Sequence, residues 1–75
     1  MEKVYVLLVK YLTKDENGNF ILTDANTNEV FTKLIQARQA INYKTATHLV
    51  IHKSEYVVFD TYENILYEIK EAYFK

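Results

Sequence analysis

Apolar side chains follow one another almost without a break near the start of the chain, in Val4-Tyr5-Val6-Leu7-Leu8-Val9-Lys10-Tyr11-Leu12. β-branched and aromatic residues suit a pleated surface, and apolar positions on both faces predict a central strand with little water on either side. A polar cluster, Thr13 to Asn19, comes next and holds Gly18, the only glycine of the chain. Asn17-Gly18 between two apolar runs predicts a hairpin, because both residues tolerate the positive φ of a tight turn. Phe20-Ile21-Leu22-Thr23 is then the returning strand, and Asp24 to Asn28 a polar break.

From Glu29 the period lengthens from two to near 3.6. Val30, Leu34, Ala37 and Ile41 line one stripe with Lys33, Gln36 and Gln39 opposite, which predicts an amphipathic helix ending near Asn42 to Lys44. Asn26 and Glu29 have the spacing of a capping box at its start. The competing reading of Asp24 to Thr32 is a tight hairpin with an extra strand at Glu29 to Thr32. Further on, Thr47 to His52 has strand character, Lys53-Ser54-Glu55 reads as a turn, and Tyr56-Val57-Val58-Phe59 pairs back. Asp60 and Glu63 repeat the capping signature ahead of a second helix with Tyr62, Ile65, Leu66, Ile69 and Tyr73 on one stripe. The expected fold is α+β: a ββαββα two-layer sandwich, with a four-stranded antiparallel sheet in the order 2-1-3-4 and two helices on one face.

Two helices on a shared side leave the other side of the sheet bare. Alternation along the first strand separates Val4, Val6 and Leu8 from Tyr5, Leu7, Val9 and Tyr11. Assigning the all-aliphatic set to the helices leaves Tyr5, Leu7, Val9 and Tyr11 facing water. A contiguous patch of that kind marks an interaction site, and tyrosine suits one because its ring buries area while its hydroxyl keeps a polar partner.

Composition narrows the picture. The 75 residues leave room for one domain, 1–75, and a chain this short buries only roughly 60% of the surface its unfolded form exposes. There is no cysteine to staple it, so self-association or a protein partner is the remaining source of stability. A net charge of −1 supplies no field that would draw the chain to phosphate backbones. The apolar run Val4 to Val9 falls far short of the roughly 20 residues that span a bilayer. The first residues also lack the basic stretch and cleavage site of a signal peptide, so a cytoplasmic protein without membrane partners is expected.

Candidate chemistry is sparse. His48 and His52 have metal-like spacing only on a helix; in a strand they lie roughly 13 Å apart, too far for one ion. Ser54, the only serine, sits in a tight turn with no oriented base nearby in sequence. The carboxylates fall in turns, caps or solvated helix faces, and phosphate-binding loops need more than one glycine. No catalytic, cofactor-binding or metal-ligating residue is therefore nominated, and no small-molecule substrate is expected. The leading expectation is a non-enzymatic protein-binding module, a small regulator or inhibitor that uses the sheet face or pairs as a homodimer. In size and composition it is similar to small phage and mobile-element products that block host machinery, which is analogy alone. The rival is a single-stranded nucleic-acid-binding protein that stacks bases on Tyr5 and Tyr11, with Lys10, Lys14 or Arg38 near the phosphates. Against it stand the sign of the net charge and the lack of an RNA-binding strand signature.

Overall fold

Five strands and one helix make up the fold in the computed structural model, which describes residues 2–74 with the side chains of 26, 27 and 74 outside that description. The elements run β1 (Glu2–Lys14), β2 (Phe20–Phe31), α1 (Leu34–Lys44), β3 (Val50–His52), β4 (Val57–Asp60) and β5 (Ile65–Phe74). They form one sheet in the order β2-β1-β5-β4-β3, antiparallel at every seam. β1 is interior, as its two apolar faces predict. The expected four-stranded sheet with two helices is overturned: the sheet has five strands, and one helix covers it.

The second expected helix is β5. Asp60 does cap, since its Oδ1 accepts the backbone N–H groups of Tyr62 and Glu63 at 2.8 and 3.2 Å. That turn is not propagated. Asn64 adopts φ 57° and reverses the chain, a left-handed conformation that asparagine tolerates and that ends a helical turn. Beyond it the residues alternate: Ile65, Tyr67 and Ile69 are buried while Leu66, Glu68 and Lys70 lie on the other side. The helical stripe and this alternation coexist in the same residues. Ten ladder positions on β1, from Glu2↔Phe74 to Tyr11↔Ile65, decide for the strand, because an interior strand must satisfy its backbone groups on both sides. Inserting β5 between β1 and β4 also replaces the expected order 2-1-3-4.

β2 departs in the same direction. The expected break at Asp24 to Asn28 is strand, and α1 begins only at Leu34, after an extended Lys33 that makes no side-chain cap. The Asn26/Glu29 capping box is thus not a helix start, and the side chain of Asn26 lies outside the described residues. The irregularity takes the form of a bulge. Between Leu8↔Asn28 and Lys10↔Asp24, β1 advances two residues and β2 four, so two extra residues are accommodated. An even insertion keeps each side chain of β2 on the same face before and after it.

The β1–β2 turn closes differently from a two-residue hairpin. The Asp15 N–H donates to the Asn19 carbonyl, and the Gly18 N–H to that of Asp15. Gly18 alone takes positive φ there, at 80°, in the pattern of a type I turn followed by a left-handed residue. Asp15 Oδ1 also accepts the N–H groups of Asn17 and Asn19.

The core lies between the sheet and α1. Leu7, Ala37, Ile41, Val58, Ile65, Tyr67 and Ile69 are buried together, with Tyr5, Val9, Leu34 and Ala40 packed against them. The helix stripe Leu34, Ala37, Ile41 is thus the predicted one, without Val30, which belongs to β2 and is exposed. The face assignment along β1 is reversed. Leu7 is 0% exposed under the helix, and Val4, Val6 and Leu8 belong to the opposite face.

Candidate protein interface

Alternation and ladder register assemble the uncovered face. β1 supplies Val6, Leu8, Lys10 and Leu12; β5 supplies Leu66, Glu68 and Lys70; β4 and β3 add Val57, Phe59 and Ile51. β2 contributes Val30, Asn28, Asp24 and Leu22. Val6, Leu8, Leu12, Leu66, Val57 and Phe59 are half-buried by their strand neighbours alone, and Ile51, Leu22 and Val30 are exposed.

A charged diagonal divides this surface. Glu68 Oε1 stands 3.6 Å from Lys10 Nζ and 3.7 Å from Lys70 Nζ, and Asp24 lies opposite Lys10 in the ladder. The Glu68 oxygen makes no hydrogen bond, so charge attraction between two ammonium groups holds it. On one side of the diagonal lie Leu66, Val57, Phe59 and Ile51, and on the other Val6 and Val30. Where the bulge opens the seam, Leu8, Lys10, Asp24, Ala25, Asn28 and Lys70 surround a shallow pocket of about 310 Å³, near the lower limit for small-molecule sites.

The four residues expected to form the interface are not brought together on it. Leu7 is core, Tyr5 and Val9 pack partly buried against that core, and Tyr11 is exposed at the end of the helix-covered side. The tyrosines proposed to stack bases are therefore absent from the open face; of its lysines, Lys10 and Lys70 are paired with Glu68, and Lys14 lies over the Phe20 ring with its Nζ 5.0 Å from the centroid. Leu8, Leu66, Phe59 and Ile51 were missed. The signal for Leu66 was the period-two pattern in Ile65-Leu66-Tyr67-Glu68-Ile69-Lys70, which the capping signature at Asp60 overshadowed.

A second cluster lies beside the β4–β5 turn. Asp60 is fully buried, and its Oδ2 accepts a hydrogen bond from His48 Nδ1 at 2.6 Å. Burial pushes the Asp60 carboxyl up, but the His48 hydrogen bond and the Glu63 and Tyr62 N–H groups outweigh it and hold the group below the usual carboxylate range. The His48 ring stacks on Tyr62 with centroids 4.8 Å apart, and its Nε2 lies 3.9 Å from Glu63 Oε1. Thr61 completes a clasp by donating from both N and Oγ1 to the Leu49 carbonyl, at 3.1 and 2.6 Å.

This is an oriented imidazole, and it could serve as a base only for a group brought to Nε2. Ser54 is in the turn at the far end of β3, where its Oγ accepts the Tyr56 N–H. His52 ends β3 and His48 precedes it, so the two do not share one strand. Among the described residues, no group of three or more histidine, aspartate and glutamate side chains could hold a metal ion, and no helix is long and apolar enough to cross a membrane. No protein-family model matches the sequence, and neither a curated protein nor a solved structure matches it.

Proposed function

We propose that this chain is a non-enzymatic protein-binding module, a small regulator or inhibitor that acts by covering a surface of another protein. One observation carries the reading: α1 shields one side of the sheet, and the other presents Leu66, Val57, Phe59 and Ile51 as a contiguous apolar patch with no element over it. Patches of this kind on a small domain are interaction sites more often than incidental exposure. The adjoining Lys10–Glu68–Lys70 diagonal suits a protein partner, since paired charges set orientation at a rim while aliphatic and aromatic side chains supply the buried centre.

The test is affinity capture from the source cells followed by titration of the captured protein, with wild type beside an Ile51→Lys/Phe59→Lys double variant. The variant is expected to bind at least about tenfold more weakly, the scale of losing a central apolar contact, with unchanged circular dichroism. Equal affinity for the same partner would remove the open face from the proposal.

A further inference from the structure

The two edges of the sheet are unlike. β3 is three residues long and runs into His52 and Lys53, the short and charged form that discourages pairing with another chain. β2 is twelve residues long, and its first four, Phe20-Ile21-Leu22-Thr23, contain no charge, proline or glycine. Phe20, Ile21 and Leu22 are 65%, 45% and 52% exposed. They belong to a two-stranded arm, since the β5 ladder on β1 ends at Tyr11↔Ile65. Each side of the arm carries apolar groups beside polar ones: Ile21 and Tyr11 with Thr13 and Thr23 on the helix side, Phe20, Leu22 and Leu12 with Lys14 on the other. A two-stranded ribbon of this kind is marginal in water until something covers or extends it.

We propose that a second copy of this chain extends it, through antiparallel pairing of the two β2 strands centred on Ile21. This register is compatible with both the faces and the backbone directions of β2. A twofold axis normal to the sheet keeps each face on its own side, so opposed residues must share a face. Centring on Ile21 places Phe20 opposite Leu22 of the second copy, both from the open side, and Ile21 opposite itself. The backbone directions agree with it. The Asn19 carbonyl accepts the Asp15 N–H and so points toward β1; by alternation the N–H and C=O groups of Phe20 and Leu22 point outward. The pairs formed in this register are those whose hydrogen-bonding groups are free. Asp24 then falls opposite Gly18 of the second copy rather than opposite its own counterpart, which avoids a like-charge contact.

The dimensions agree with a missing neighbour. The protein exposes 5544 Å², against about 4800 Å² for a compact monomer of its mass. Its radius of gyration is 13.3 Å, against about 11 Å for a compact chain of this length. The surplus of roughly 700 Å² approaches the ~800 Å² that each partner contributes to a standard interface. An edge contact over one short segment buries less than that, which places the dimer among weak, concentration-dependent ones.

Sedimentation velocity from roughly 10 to 500 μM, the range that reports such affinities, tests the assembly. The weight-average mass is expected to rise from that of one chain toward twice that value. Leu22→Pro removes an N–H that is free in the protomer and needed by the pair, so it should hold the protein monomeric with its circular dichroism intact; Leu22→Lys, which keeps the N–H, should weaken association about tenfold or more by placing charge on the paired strand. Wild type that stays monomeric across the range overturns the proposal, as does association that persists unchanged in both variants. The Ile51→Lys/Phe59→Lys protein is expected to associate as wild type does, so loss of self-pairing and loss of partner binding are read on different variants.

Discussion

The two faces of β1 carry side chains of similar hydrophobicity in neighbouring positions and meet opposite fates. Leu7 is fully enclosed by α1 and by Ile69 across the ladder, while Leu8 is only partly buried beside Glu68. Hydrophobicity alone therefore does not choose the face to be buried. The choice follows from what the neighbouring strands offer at the same rows: Tyr67, Ile69 and Val58 on one side, Glu68, Lys70 and Asp24 on the other. On the covered side Leu7, Ile69, Tyr67 and Val58 adjoin with no charged residue among them, whereas Lys10, Glu68 and Lys70 interrupt the apolar residues of the open side.

Paired substitutions give the largest effect. Leu7→Ala should destabilise by about 2–5 kcal/mol, because a fully enclosed leucine leaves a cavity, while Leu8→Ala should cost less, about 1–2 kcal/mol, since that side chain is only partly buried and leaves no enclosed cavity. Chemical denaturation of both variants measures the difference. Equal costs would mean that the open face is covered in solution and would redraw the contrast.

Asp60 gives the next effect, on the covered side at its edge. Asp60→Asn should cost about 1–3 kcal/mol, the scale of weakening charge-assisted hydrogen bonds to a buried acceptor. Its pH dependence has a defined sign. The folded-state value is depressed, so the carboxylate contributes stability above the unfolded value near ~3.9, and this is lost as pH falls through the lower folded value. Denaturation midpoints of wild type should fall steeply through that acid window and those of Asp60→Asn less so; parallel pH profiles would show that the His48 contact is not made in solution.

The smallest effect belongs to the open face. Lys10→Met should change stability by no more than about 0.5 kcal/mol in either direction, because the Lys10–Glu68 pair is partly solvated and Lys70 remains beside Glu68. Thermal melts at low and high salt measure it. A loss above about 2 kcal/mol would make the diagonal a structural element of the sheet rather than part of a contact surface.

Much of the local structure is legible in the residues. The strand at Val4 to Leu12, the turn around Gly18 and the stripe Leu34, Ala37, Ile41 have physical signatures that act over a few positions, and all three are present; Asp60 accepts the N–H groups its signature predicts but starts no helix. The candidate site was less legible. The residues of β1 divide correctly into two sets by alternation, but their division into inside and outside depends on β5, and β5 was hidden within a pattern that fits a helix equally well. Ile65, Leu66, Ile69 and Tyr73 lie on one helical stripe, while Ile65, Tyr67 and Ile69 lie on one strand face. No property of those residues taken alone separates the two.

By itself the sequence determined the turn around Gly18, which stretch is interior to the sheet and which side of α1 is apolar. Each of these follows from side-chain shape and spacing, or from backbone freedom at Gly18. Only the tertiary structure decided that Ile65 to Phe74 is a strand, that Asp24 to Asn28 bulges without breaking β2, and that Tyr5, Leu7 and Val9 face the helix. The reason lies in β1: as an interior strand it must satisfy backbone groups along both edges, and the segments that meet this demand bring their own charged residues to one face. That placement left Val6 and Leu8 of β1 on the open face, with Val4 of the same set buried.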